Sequence, residues 1–162
     1  MRYIVDGNPF YLEEIAAIEA ASYPEAEAAS LKTIRKRIMK NPFGFWILVE
    51  DGHVKSFVNG LVTNERDLTD EMYEHPEMND PEGDWLMIFS LATDPAYRHK
   101  GYAVAVMQQV ISDCDSLRRK GIVLTCKEEM IPFYSKFGFE DEGISTSVHG
   151  GAKWHQMRMT LQ

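Results

Sequence analysis

Apolar residues recur along this chain with two periods, and the switches between them divide it into elements. Over residues 11–21 (YLEEIAAIEAA), Leu12, Ile15 and Ile18 fall three apart among alanines, which predicts a helix that stops before Tyr23-Pro24. Ser30 is placed to cap a second helix, with Leu31, Ile34 and Ile38 inward, Lys32, Arg35, Lys36 and Lys40 outward, and Asn41-Pro42 at its end. The period then shortens. Residues 45–50 (FWILVE) and 55–62 (KSFVNGLV) flank Asp51-Gly52, the signature of an antiparallel hairpin.

Residues 63–84 are polar and acidic and contain Pro76 and Pro81, so they read as a long surface excursion with a short helix around residues 70–74. The run 85–93 (WLMIFSLAT) is nearly all apolar, long enough for a buried strand and too short for a helix of ordinary length. Ala103, Val106, Met107, Val110, Ile111, Cys114 and Leu117 then recur at three- and four-residue steps, one face of a long helix. A strand at 122–126 (IVLTC), a helix over 130–137 closed by Gly138, and two terminal strands at 143–148 and 154–161 complete the series. The expected fold class is α+β, or mixed α/β, with a helix crossing between the strand at 85–93 and the one after it.

At 162 residues the chain has the size of one domain, and neither a linker nor a repeat divides it. Seventeen Lys and Arg stand against 25 Asp and Glu, a net charge of −8, which argues against nucleic-acid binding as the main task. The start MRYIVD lacks the apolar core of a signal peptide, and no run reaches transmembrane length, so a cytoplasmic protein without a membrane partner is expected. Cys114 and Cys126 sit in apolar patterns and read as reduced core thiols. His149 and His155 have no ligand pattern around them, and no metal site is expected.

Candidate chemistry begins at Tyr97-Arg98-His99-Lys100-Gly101-Tyr102-Ala103, between the apolar strand and the long helix. Free N–H groups at a helix start, with the positive end of its dipole, make an anion site, and glycine lets main chain approach phosphate closely. The turn suits a pyrophosphate.

Arg98-x-x-Gly101-x-Ala103 after an apolar strand resembles the acyl-CoA signature of the GNAT N-acetyltransferase superfamily, Gln/Arg-x-x-Gly-x-Gly/Ala. Downstream, Ile131-Pro132-Phe133-Tyr134-Ser135-Lys136-Phe137-Gly138-Phe139 resembles the family's later motif. Ser22-Tyr23-Pro24, residues 64–69 (NERDLT), Leu91-Ala92 and the stretch from Leu124-Thr125-Cys126 to Pro132-Phe133-Tyr134 are similar to the arylalkylamine (serotonin) N-acetyltransferases. The resemblance implies a mostly antiparallel central sheet with a parallel pair at the cofactor site, flanked by helices, in a single domain over residues 1–162. It also implies acetyl-CoA as cosubstrate and a small primary amine, aryl- or alkylamine, as acceptor, attacked directly in a ternary complex.

The resemblance assigns roles to particular positions. Arg98, His99, Lys100, Gly101, Tyr102, Ala103 and Val104 would meet the pyrophosphate, mainly through their amides. Leu91, Ala92 and Thr93 would pair with the pantetheine arm and point an N–H at the thioester carbonyl. Tyr134 would protonate the departing sulfur. Its alternative is one more aromatic on a buried helix face beside Phe133 and Phe137. Tyr23, Pro24 and Trp154 stand where the resembled enzymes contact their amine, and Trp154 reads equally as a core residue.

One departure matters. A primary amine of pKa about 10.4 costs about 4 kcal/mol to deprotonate near neutral pH. The serotonin enzymes are thought to use two histidines on the strand before the cofactor turn; those positions here are Met87 and Phe89. Residues two apart share a strand face, so both inward groups are apolar. Water chains to Glu65, Asp67, Glu82 or Asp84, or capture of the neutral amine, are the alternatives, and no base is assigned. The rival functions are a GNAT enzyme acting on a polyamine, an aminoglycoside or a protein N-terminus, and a noncatalytic acyl-CoA sensor; either a monomer or a homodimer is compatible.

Overall fold

The hairpin expected at Asp51-Gly52 is present. In the computed structural model, which describes residues 1–161, Asp51 and Gly52 both take positive φ (55° and 79°) between paired Glu50 and His53, as a two-residue turn of mirror-image type demands. The hairpin joins β2 (Phe45–Glu50) to β3 (His53–Thr63), and β1 (Arg2–Val5) adds antiparallel to β2. Sequence periodicity does not reveal β1, whose four residues are too short and too exposed to alternate clearly.

The chain folds as two units, Met1–Gly60 with Ser90–Ile111, and Leu61–Phe89 with Ser112 onward. Strands β3 and β4 (Trp85–Thr93) and helix α3 (Tyr102–Ser116) contribute residues to both. With β5 (Gly121–Cys126), β6 (Glu140–Ile144) and β7 (His155–Thr160), the strand order is β1-β2-β3-β4-β5-β7-β6. β4 and β5 are parallel, as a helix crossover between them requires, and β5 with β7 and β7 with β6 are antiparallel. The mixed α+β class with one parallel pair is as expected.

In the first unit, α1 (Leu12–Ser22) and α2 (Leu31–Lys40) set Leu12, Ile15, Ile18, Ile34 and Ile38 against Phe45, Ile47, Val49, Val54 and Phe57 of the hairpin. Ser30 caps α2 as expected, its hydroxyl accepting the Thr33 N–H at 3.1 Å, an interaction worth about 1 kcal/mol. Pairing passes from Leu48–Ser56 to Val49–Val54, which leaves Lys55 as a bulge. The Lys55 carbonyl accepts the Asp94 N–H at 2.8 Å, so the bulge holds the residue that follows β4.

In the second unit, the acidic excursion folds back as short 3-10 turns at Asp70–Tyr73 and Pro76–Met78 instead of an α-helix. Leu68, Met72 and Tyr73 pack on Leu61, Trp85, Met87 and Val123. A buried cation fastens the excursion: Arg158 bonds Asp67 (2.6 Å), Glu142 (2.9 Å) and the Arg66 carbonyl (2.8 Å), with its guanidinium 4.7 Å from the Trp85 ring centroid. The expected helix over 130–137 shrinks to α4 (Ile131–Ser135), because the Phe137 and Gly138 amides bond three residues back, to the Tyr134 and Ser135 carbonyls, and the chain turns at Gly138 with φ 108°. The strand expected at 143–148 instead lies at Glu140–Ile144. Among the described residues no helix is long and apolar enough to cross a membrane.

Candidate active site

The first unit holds the basic turn. A 3-10 turn at Pro95–Tyr97, capped by the Asp94 carboxylate on the Ala96 N–H (2.9 Å), carries the chain from β4 to Arg98. His99 and Gly101 then adopt positive φ, 63° and 85°. The first α3 hydrogen bond runs from Ala105 N–H to the Gly101 carbonyl at 3.0 Å. The amides of Tyr102, Ala103 and Val104 therefore find no acceptor among the described residues, and a Cβ at Gly101 would meet nothing within 4 Å. Three open donors at the positive end of a fifteen-residue helix, beside a left-handed glycine, fit a pyrophosphate.

The side chains of this turn divide their work. Arg98 points back into the fold, donating to the Thr93 carbonyl (3.3 Å), the Ala21 carbonyl (3.4 Å) and the Ser22 hydroxyl (3.2 Å), so it binds the turn to the ends of β4 and α1. Lys100 is exposed and lies 5.7 Å from the Tyr97 ring centroid. On that ring also sits the buried Lys55, with Nζ 3.5 Å from the centroid. A hydrogen bond with the Tyr97 hydroxyl, the largest influence, holds Lys55 above the ordinary lysine pKa, so it stays cationic. Lys55 is a second cation of the turn that sequence reasoning missed, since nothing in its strand pattern announces a bulge. Tyr102 is buried beneath the Arg2 guanidinium, 4.9 Å from its ring centroid.

At the end of β4 the main chain is already engaged. The Tyr23 hydroxyl donates to the Leu91 carbonyl (2.9 Å) and accepts the Leu91 N–H (3.2 Å), standing in for a neighbouring strand. Ser56 donates to the Ala92 carbonyl (2.9 Å) and shares a hydrogen bond with the Thr93 hydroxyl (3.0 Å). Pro24, next to Tyr23, is exposed.

The second unit holds Tyr134 and Trp154. Tyr134 is buried on α4, edge-on to Phe133 (5.1 Å) and Phe139 (5.9 Å), and its hydroxyl has no hydrogen-bond partner among the described residues. Burial, and secondarily Cys126, pushes its phenol well above the ordinary tyrosine range, so it keeps its proton. Trp154 is buried and donates its indole N–H to the His149 carbonyl at 2.9 Å, fastening the loop between β6 and β7. Met87 is fully buried in the core and Phe89 is half-buried. Among the suggested acids, Asp67 is held by Arg158 and Gln156, and Asp84 pairs with Lys120 at 3.4 Å. Among the described residues no cluster of His, Cys, Asp and Glu could hold a metal ion.

The sequence profile of the Acetyltransferase (GNAT) family matches residues 12–139, most of the chain, including parts of both units and the basic turn. The chain belongs to the GNAT acetyltransferase family. A serotonin N-acetyltransferase from Mesocricetus auratus is 25% identical over 116 residues, covering 70% of this chain and 54% of its own length. The chain thus spans about half the length of that curated relative. Among solved structures, a GphF GNAT-like decarboxylase in complex with isobutyryl-CoA superposes with a TM-score of 0.82 at 19% identity, covering 99% of this chain and 100% of its own. The ribosomal-protein-S18-alanine N-acetyltransferase from Escherichia coli gives a TM-score of 0.73 at 16% identity, covering 100% of this chain and 95% of its own. At those identities the likeness concerns the fold, and this GNAT chain shares it along its whole described length.

Proposed function

We propose that this GNAT protein is an acetyl-CoA-dependent N-acetyltransferase, a single cytoplasmic catalytic module over residues 1–162 that acetylates a small primary amine, aryl- or alkylamine, by direct attack in a ternary complex. The observation that carries the reading is the start of α3, where Tyr102, Ala103 and Val104 offer unpaired amides beside Gly101 at φ 85°. Those amides would hold the pyrophosphate, with the charges of Lys55 and Lys100 nearby and Arg98 keeping the turn in place. Bound acetyl-CoA supplies a thioester whose carbonyl carbon is the electrophile. In this reading the thioester arm runs beside the end of β4, Leu91 to Thr93, whose carbonyls Tyr23, Ser56 and Arg98 already hold, and Tyr134, kept protonated by burial, gives its proton to the departing sulfur.

A panel of 2-phenylethylamine, hexylamine, spermidine, an aminoglycoside and a short peptide, read by thiol release from acetyl-CoA, tests this directly. Turnover of the aryl- or alkylamine is the expected result. Turnover confined to the other three would move the acceptor assignment, and acetyl-CoA binding with no turnover of any amine from pH 6 to 9 would leave a sensor instead of an enzyme.

A further inference from the structure

Helix α2 differs in charge from the rest of the chain. Its ten residues (LKTIRKRIMK) hold five Lys and Arg and no acid, although acids outnumber cations 25 to 17 overall. Arg37 is buried, where it donates to the Asn59 side-chain carbonyl at 3.1 Å. The other four cations turn outward. Lys32, Arg35, Lys36, Met39 and Lys40 share one stripe of the helix by their three- and four-residue spacing, and all five are exposed. Among the described residues none of these four cations makes an ion pair, whereas Arg2, Lys120 and Arg158 are paired with Glu50, Asp84 and Asp67.

Large apolar side chains stand beside that stripe. Met39 is 68% exposed on α2 itself, and Phe43, 75% exposed, follows in the 3-10 turn Pro42–Gly44. The turn Pro9–Tyr11, which carries Phe10 at 78%, also packs on α2, and the Gly7 N–H just before it bonds the Pro42 carbonyl at 2.8 Å. Apolar side chains gathered in this way and rimmed by charge mark a contact surface. All of these residues lie in the first unit.

We propose that this face of α2, with Phe43 and Phe10 at its edge, docks on an anionic phospholipid surface; the proposal stands apart from the acetyltransferase reading. Lipid phosphates form a plane of negative charge that attracts each lysine or arginine held near it. From Lys32 to Lys40 the stripe is about 12 Å long, so its four cations meet that plane together. Side chains left two-thirds bare form a ridge. A ridge enters the headgroup layer without the matching pocket that a protein partner would have to supply. A second copy of the chain fits poorly, since a symmetric contact would set four uncompensated cations against four. The net charge of −8 does not prevent the approach, because carboxylates more than about 10 Å from the surface are screened in physiological salt. Docking of this kind needs no membrane-crossing helix, and among the described residues there is none. An enzyme held there would meet aryl- and alkylamines where such amphiphilic cations collect.

Sedimentation of the full chain with vesicles of mixed phosphatidylglycerol and phosphatidylcholine, or of phosphatidylcholine alone, tests the proposal. Wild type should bind the anionic vesicles at least tenfold more tightly than the neutral ones, and should lose that binding at about 0.5 M salt. Lys36→Glu with Lys40→Glu should weaken it at least tenfold. Lys136→Glu with Lys153→Glu, an equal change of net charge at exposed positions of the second unit, should leave it within twofold. Phe43→Trp should add a fluorescence component that brominated acyl chains quench. Every substituted side chain is exposed, so thermal melts of the variants should match wild type. Equal binding to both vesicles or none to either, equal loss in the two charge-reversed pairs, or a Trp signal indifferent to brominated lipid would overturn the proposal. Binding to poly-L-glutamate without binding to vesicles would overturn it too, and would assign the face to an acidic polypeptide.

Discussion

Replacing Gly101 with alanine separates the conformation of the cofactor turn from its space. A Cβ there meets nothing within 4 Å, so no clash contributes and the cost is the left-handed φ of 85°. An L-residue in that region costs about 1–2 kcal/mol, of which about 0.4–1 is returned by the stiffer unfolded chain. The net loss is about 1 kcal/mol, or roughly 2–4 °C in Tm for a chain of this size. Gly52 supplies a matched control: its φ is 79°, nothing lies within 4 Å of its Cβ, and it sits in the β2–β3 turn. Gly101→Ala and Gly52→Ala should therefore lower Tm by similar amounts. They should differ in binding, because relief of strain at Gly101 turns the adjoining amides away from their common target. Losing one charge-assisted hydrogen bond of about 1.5–3 kcal/mol weakens acetyl-CoA binding by roughly 10- to 150-fold. Calorimetric titration of acetyl-CoA into both variants reads the difference. Equal affinities for Gly101→Ala, Gly52→Ala and wild type would refute the assignment of this turn to the pyrophosphate.

Tyr134→Phe should lower kcat and kcat/KM together by at least tenfold at constant acetyl-CoA affinity, and should leave Tm unchanged or slightly raised, since the hydroxyl it removes has no partner among the described residues. Arg118 sits at φ 59° in a helix-end motif in which Arg119 N–H bonds Cys114 O and Arg118 N–H bonds Asp115 O, both at 3.0 Å; Arg118→Gly should raise Tm by roughly 2–4 °C, as about 1 kcal/mol of left-handed strain disappears. The hydrogen bond from Arg158 is the largest influence lowering the Glu142 pKa, so its stabilisation is complete above the unfolded value of about 4.3 and fades as pH falls through the folded one. Denaturant melts should accordingly find Glu142→Gln less stable than wild type at pH 6–7, with the gap closing at lower pH; a gap unchanged at pH 3 would contradict this. Burial pushes the Cys114 and Cys126 thiols to about 12 and 11, so a disulfide reagent at pH 8 should label neither until the protein unfolds.

The basic turn was legible because it is local. A strand, a turn with one glycine and a helix start are consecutive in sequence, and the open donors there are main-chain groups whatever the side chains are. The same locality explains the hairpin at Asp51-Gly52 and the Ser30 cap. What escaped the sequence depends on distant pairings. Lys55 enters the turn only because β3 bulges where it leaves register with β2, and Tyr23 spends its hydroxyl on Leu91 main chain that lies far along the chain. Arg98 belongs to the motif, and nothing in that motif shows that its guanidinium goes to Thr93, Ala21 and Ser22. Tyr73 and His149 lie in segments with no periodicity, an acidic excursion and a glycine-rich loop, and contacts such as Asp70 with Ser147 and Val148 bring them together. Short apolar stretches such as β1, and one-turn helices such as α4, carry too few residues for either period to show.

A phenol pushed well above its ordinary pKa looks at first like a poor acid for a thiolate, whose usual pKa of about 8.5 lies below that of tyrosine. The comparison with water is the wrong one. The two thiols of this chain show what its interior does to sulfur: desolvation carries Cys126 to about 11 and Cys114 to about 12. On the proposed reading, a sulfur leaving in a similarly dry site would gain basicity for the same reason that Tyr134 loses acidity, so the two effects would oppose one another in the proposed proton transfer. Burial also keeps the phenol neutral throughout the pH range in which an amine can be deprotonated, which makes it a donor whenever sulfur begins to carry charge. It follows that the hydroxyl of Tyr134 should be felt in kcat and not as a titrating limb in the pH profile. Any ionisation seen between pH 6 and 9 must then belong to another group, and that separation is what allows the amine side of the reaction to be read independently of the sulfur side.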